Sequence, residues 1–395
     1  MLNNSGKKLK IVFMISSNLK QWGGMEHVLE EYIFNMPSNI DATIVEPSEA
    51  QYERVSEYFI KENFGSIRII SINYPFSKFN FLKKTRIGFI ATEAIIMPVL
   101  GFLNKYFLNR NFLSKIGNPD IVYLFNKSDA YSYFTHRKNV LIVGSDHAWS
   151  LRNTDLLKAV QIKLIKNRFL LRNIDAFHLL PASERLPESI NSFILANGVD
   201  TKTFKPNSKK SGNIRLLFFA RLEECKGVPL VLDIWKQIRQ NNRIELYIGG
   251  SGPMENKVNN IKDRNFKYFG FVDEKELPEL IAKCDIFIYP STCDNYAIVV
   301  LQALSSGLYV ITNDMIAASF REFENIGQLK VVENKPIKYV EAINNFLEGE
   351  ITFDLNESRS ICINKYDWKQ ISENLYNELL IEYYKKINMH YKNKG

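Results

Sequence analysis

Residues 285–310, DIFIYPSTCDNYAIVVLQALSSGLYV, constrain this chain more than any other stretch. Ile286 to Tyr289 is a β-branched and aromatic run closed by Pro290, which has no N–H for a ladder and so marks the strand end. Over 297–306 apolar residues return at Ile298, Val299, Leu301 and Leu304, close to helical spacing. Gly307 then stands where a helix end favours a residue tolerant of the left-handed conformation. The order is strand, polar loop, helix, strand. In a parallel α/β sheet such a loop lies at the carboxyl edge, with the amides of Asn295, Tyr296, Ala297 and Ile298 and the positive end of the helix dipole facing the crevice. That is a place for an anion. Asp294 lies in the loop and Gln302 eight positions later, a little over two helical turns, so both can address one ligand lying across the helix start.

The rest of the chain repeats this alternation. A first strand at 10–16 is followed by Gln21-Trp-Gly-Gly-Met-Glu26, a glycine turn opening a helix from about Met25 to Phe34. The adjacent Gly23 and Gly24 let backbone approach another group without Cβ interference. Strands are expected at 42–46, 67–72, 121–125, 140–143, 176–180 and 193–196 with helical stretches between, a pattern that makes a parallel sheet covered on both faces. The turn-rich Leu195-Ala-Asn-Gly-Val-Asp-Thr-Lys-Thr-Phe-Lys-Pro206 and polar 207–213 form a boundary, after which strands at 214–220 and 243–248, the segment 267–272 and a helix at 273–284 lead to the opening stretch.

At 395 residues, two domains are expected, and 46% hydrophobic with 13% aromatic residues suffices for two cores, which excludes disorder. The 51 basic residues against 43 acidic give a charge of +8 and an isoelectric point near 9.0, suited to nucleotide phosphates or an anionic membrane. No nucleic-acid recognition pattern accompanies the charge. Cys225, Cys284, Cys293 and Cys362 lack metal-ligand or disulfide-framework spacing, which leads us to expect reduced thiols in a cytoplasmic protein. Lys7, Lys8 and Lys10 precede an apolar run too short for a signal peptide, so that run reads as the first strand.

With these elements in place, 285–310 resembles the signature of the large family 4 of retaining glycosyltransferases, fold type GT-B, which runs Pro-Ser, Glu-Gly-Phe-Gly, Glu-Ala and Gly-x-Pro-Val. Pro290-Ser291, Ala303, Gly307 and Val310 are kept, while Asp294 stands for the first Glu, Asn295-Tyr296-Ala297 for Gly-Phe-Gly, Gln302 for the second Glu and Tyr309 for Pro. Arg221-Leu-Glu-Glu-Cys-Lys226-Gly227 resembles the family's Gly-Arg-Leu…Lys-Gly element, and Gly249-Gly-Ser-Gly-Pro253 its Gly-x-Gly-Pro turn. Asn197-Gly-Val-Asp200 is similar to its interdomain link.

The resemblance implies an α/β fold of two Rossmann-like domains whose parallel sheets face a central cleft. Residues 1–197 would bind the acceptor and 198–367 the nucleotide sugar, with a closing helix at 368–390 packing back on the first domain. It further implies a retaining hexosyltransferase that moves a sugar from a UDP- or GDP-linked donor to a glycan or lipid-linked acceptor, with no cofactor. The Asp-x-Asp of the metal-dependent glycosyltransferases is missing from the chain, so no metal is expected. A diphosphate leaving group then needs fixed cations, the role the resemblance gives to Arg221 and Lys226. It also carries Gly23, Gly24, Gly250, Phe271, Val272, Asn295, Tyr296, Ala297, Ile298 and Gln302 into the donor site. His147 and Asp146, in Gly144-Ser-Asp-His-Ala148, and Asp294 become the catalytic candidates.

Two further readings share this architecture: a nucleotide-sugar 2-epimerase-like isomerase, and a non-catalytic nucleotide-sugar-binding subunit of a glycosyltransferase complex. Residues 87–103 are nearly apolar, short for a span, interrupted by Glu93 and Pro98, and flanked by Lys83, Lys84, Arg86, Lys105 and Arg110. They fit an interior helix, or an interfacial one through which 83–110 makes peripheral contact with the inner membrane surface.

Overall fold

The computed structural model describes residues 8–15, 24–47, 67–72, 116–125, 139–145, 174–183, 186, 188–207, 212–294 and 296–392. Gly23, Asp146, His147, Asn295 and the stretch 83–110 lie outside the described residues. The chain divides into two units, Met1–Leu195 with Ser372–Gly395, and Ala196–Ile371.

The first unit is built on β1 (Leu9–Met14), β2 (Ile40–Pro47), β3 (Arg68–Ile72), β4 (Ile121–Leu124), β5 (Leu141–Ser145), β6 (Ala176–Leu179) and β7 (Ser192–Ile194). They pair in parallel in the order β3-β2-β1-β4-β5-β6-β7. Strands buried on both faces read as unbroken apolar runs, as in Ile121–Leu124, where every residue is buried. Helix α1 (Gly24–Phe34) turns Val28, Leu29, Tyr32 and Ile33 inward. There Tyr32 meets Tyr123 edge-on at 6.4 Å, beside the Phe13–Tyr123–Phe125 ring cluster.

The second unit carries β8 (Ile214–Phe219), β9 (Ile244–Gly249), β10 (Phe266–Tyr268), β11 (Ile286–Tyr289), β12 (Tyr309–Thr312) and β13 (Leu329–Val331). All pairs are parallel, in the order β10-β9-β8-β11-β12-β13. Side-chain alternation feeds two cores. Leu217, Phe287 and Val310 join one with α3 (Ile298–Ser305). Leu216, Phe218, Ile286, Ile288 and Ile311 join the other with α2 (Val228–Ile238) and α4 (Pro336–Leu347). The second sheet is thus a doubly wound open α/β sheet.

The last described helix, α5 (Trp368–Lys392), contains the division between the units. Within the first unit, Tyr376 donates to the Tyr32 carbonyl at 3.0 Å, Tyr383 to Asp120 at 3.0 Å, and Lys386 pairs with Asp175 at 2.6 Å. β10 ends at Tyr268, and Gly270 turns out of the sheet at φ 66°. One element is shorter than its sequence suggests. The helix expected over 273–284 is confined to Leu277–Ala282, with Pro278 in its first turn, where a missing N–H costs nothing.

Candidate active site

The strand order of the second sheet reverses between β8 and β11, so the helices that follow them cover opposite faces of the sheet, the place where a doubly wound sheet offers a crevice. β8 runs into a single 3₁₀ turn, Glu224–Lys226, and then α2; β11 runs into the loop that opens α3. The joint is Gly227, at φ 88°, where an added Cβ would come 2.5 Å from Pro290 Cγ in the opposite loop. Beyond that contact the loops are zipped. The Thr292 N–H and hydroxyl both donate to the Cys225 carbonyl, at 2.8 and 3.1 Å. Cys225 and Cys293 are disulfide-bonded, their Cα atoms 5.7 Å apart. One residue further, the Lys226 ammonium pairs with Asp294.

Asp294 is the hub of this joint. It accepts from Lys226, from Ser291 Oγ at 2.5 Å and from the Tyr289 hydroxyl at 2.8 Å. The Lys226 and Asp294 side chains are only 17% and 16% exposed. Burial pushes the Asp294 carboxyl up, but the Lys226 charge and the three donors outweigh it and hold the group below its ordinary value. Burial, and then the Asp294 charge, push the Tyr289 phenol well up, so it stays a neutral donor. The backbone beneath is fixed as well: Thr312, Asn334 and Asn313 donate to the carbonyls of Tyr289, Pro290 and Ser291 at 2.6, 3.2 and 2.8 Å. The result is an ammonium fixed at the crevice with two further N–H donors to offer an anion.

The remaining expected donor-site residues differ in their surroundings. Gly250, at φ 121°, leaves no room for a side chain, since a Cβ would lie 1.8 Å from the Ala220 carbonyl oxygen. Its N–H donates to the Gly270 carbonyl at 2.7 Å and its carbonyl accepts from Tyr268 at 2.9 Å, which ties the loop after β9 to the end of β10. Past Gly270, Val272 is buried and Phe271 stands 73% exposed. Arg221 is 61% exposed and paired with Glu223 at 2.8 Å, so each expected cation already holds a carboxylate. Tyr296 gives its hydroxyl to the Asn197 carbonyl at 3.0 Å and sets its ring against Phe320 at 5.1 Å. Ala297 caps α3 without a side-chain bond, and Ile298 begins the helix. Gln302 is 6% exposed, and its amide makes no hydrogen bond among the described residues. Gly24 begins α1 in the first unit, where an added Cβ meets no described atom within 4 Å.

The cysteine expectation is corrected. Cys225 and Cys293 are 68 residues apart and follow no spacing rule, yet strand pairing of β8 with β11 brings them face to face. Cys284 and Cys362 are buried free thiols. Sequence reasoning also missed Tyr289, Ser291, Asn313, Asn334 and Glu223, ordinary strand, loop and turn residues whose role exists only once the loops meet. Among the described residues no helix is long and apolar enough to cross a membrane.

Residues 199–366 match the family of glycosyl transferases group 1. A 41.2 kDa protein of the Klebsiella pneumoniae cps region is 28% identical over 161 residues, 41% of this chain and 43% of that one, so the match spans less than half of the relative's length. Across nearly the full chain the fold is that of solved glycosyltransferases of GT-B type. Sucrose-phosphate synthase of Thermosynechococcus elongatus superposes with a TM-score of 0.68 at 13% identity, covering 95% of this chain and 100% of that one. Anabaena HepE in complex with UDP-glucose gives 0.66 at 14% identity, covering 94% and 99%.

Proposed function

We propose that this chain is a glycosyltransferase that takes a sugar from a nucleotide-sugar donor, UDP- or GDP-linked, and transfers it with retention to a glycan or lipid-linked acceptor. The observation that carries the reading is the meeting of Lys226 and Asp294 at the carboxyl ends of β8 and β11, the reversal point of the second sheet. A doubly wound sheet receives phosphate there. Lys226 keeps two donors for the diphosphate, and Arg221, mostly exposed, swings onto it as a second cation. Gln302, buried and without a hydrogen-bond partner among the described residues, supplies an amide for a ribose hydroxyl. Phe271 and Val272 border the base. Asp294, Asp146 and His147 keep the catalytic role that the family resemblance implies. Anabaena HepE has been solved with UDP-glucose, and the shared fold supports a donor of that class here.

The test incubates the full chain with UDP- and GDP-sugars and with glycan and lipid-linked acceptors, following nucleotide release and product anomer. Release that requires an acceptor, with a product of the donor's configuration, is expected, and it persists in EDTA. Interconversion of free donor without acceptor identifies an isomerase instead. Thermal stabilisation by nucleotide with no release under any condition identifies a binding subunit.

A further inference from the structure

We propose that Cys225 and Cys293 are a reversible dithiol–disulfide couple, a redox modification site in the phosphate loops whose oxidised form tightens the grip on the donor diphosphate. The effect on grip rests on the donor-site reading above. Two of the four cysteines are set apart by their surroundings. Cys284 and Cys362 have no exposed surface, and burial pushes the Cys362 thiol up to about 12, which silences exchange. Cys225 and Cys293 are half-buried on crevice loops and open to an attacking thiolate.

Their position couples them to both cations. Each cysteine directly precedes one member of the Lys226–Asp294 pair, so the cross-link and the ion pair are consecutive rungs between the same two loops. Cys225 Sγ also lies 3.9 Å from Glu223 Oε2, the carboxylate that holds Arg221. Without the covalent rung the turn Glu224–Lys226 is tied to the opposite loop by the two Thr292 bonds to the Cys225 carbonyl, and by Lys226 itself. A diphosphate that draws on Lys226 then has to order a looser turn.

The chemistry balances as thiol–disulfide exchange. A dithiol reductant gives two electrons and two protons: one thiolate attacks a protein sulfur, the S–S bond breaks, and the second thiolate resolves the mixed disulfide to leave two protein thiols and an oxidised dithiol. Two protein thiols and one molecule of glutathione disulfide run it in reverse, with two glutathione thiols as products.

The experiment uses the unmodified full chain, reduced with dithiothreitol or oxidised with glutathione disulfide. One portion of each is alkylated and peptide-mapped, and another is titrated with UDP and GDP by calorimetry. Expected are a linked 225–293 peptide pair only in the oxidised sample, alkylation of both sites after reduction, and nucleotide affinity roughly three- to tenfold weaker in the reduced form, the cost of ordering one or two more side chains. Cys225→Ser should hold the reduced affinity under both treatments. No linked peptide, or equal affinities in the two redox states, overturns the proposal. Failure of both nucleotides to bind in either state overturns the donor-site reading instead, and the peptide map, which uses no nucleotide, tells the two failures apart.

Discussion

Substituting Lys226 and Asp294 separately and together tests both the electrostatics of the joint and its work. Lys226→Met leaves the Asp294 anion with two hydroxyl donors, Ser291 at 2.5 Å and Tyr289 at 2.8 Å. Breaking a fully buried pair costs about 3–5 kcal/mol. With two donors retained and one-sixth of each side chain exposed, about 2 kcal/mol is expected. Asp294→Asn leaves an ammonium able to turn toward water and should cost about 1–2 kcal/mol. The double variant buries no unpaired charge, so its cost should fall short of the sum by about 1–2 kcal/mol. Urea unfolding followed by tryptophan fluorescence, to which Trp235 in the second unit contributes, measures these values. Nucleotide binding separates phosphate contact from scaffolding. Lys226→Met loses a charged contact of about 1.5–3 kcal/mol, roughly 10- to 150-fold in affinity, whereas Asp294→Asn removes the competing carboxylate and should bind UDP or GDP as well or better. Additivity within about 0.5 kcal/mol would refute the ion-pair account. Unchanged nucleotide affinity in folded Lys226→Met would refute Lys226 as a phosphate ligand.

Gln302→Leu should weaken nucleotide binding by roughly three- to tenfold while changing stability by less than about 0.5 kcal/mol, because the Gln302 amide is not one of the fully buried polar groups left without a partner among the described residues. A variant that binds nucleotide like the native chain would place Gln302 away from the ligand. The pH dependence of stability follows from Asp294, whose folded pKa lies below its ordinary 3.8. Its contribution is fully present above that value and is lost as pH falls through the folded pKa, so the stability gap between native and Asp294→Asn protein should hold from neutrality to about 3.8 and close below it. A gap that widens on acidification would contradict the shift.

Much of the scaffold is legible in local sequence. Ile286–Tyr289 announces a strand because four apolar residues end at a proline, α3 follows from its apolar spacing, and Gly307 closes it at φ 77°. Length was less readable where a single proline decides, as at Pro278. Asp294 and Gln302 could be singled out because they flank a strand end and a helix start, which a sequence displays in order, and Arg221 and Lys226 through the family resemblance of their motif. What tertiary structure alone decided is which of these side chains meet. The pairing of β8 with β11 joins loops 68 residues apart. It gives Lys226 a carboxylate partner, couples Cys225 to Cys293, and makes Tyr289 and Ser291 donors to Asp294. Periodicity along a chain reports the face a residue turns inward. The neighbour across a sheet depends on strand order, which no local pattern encodes.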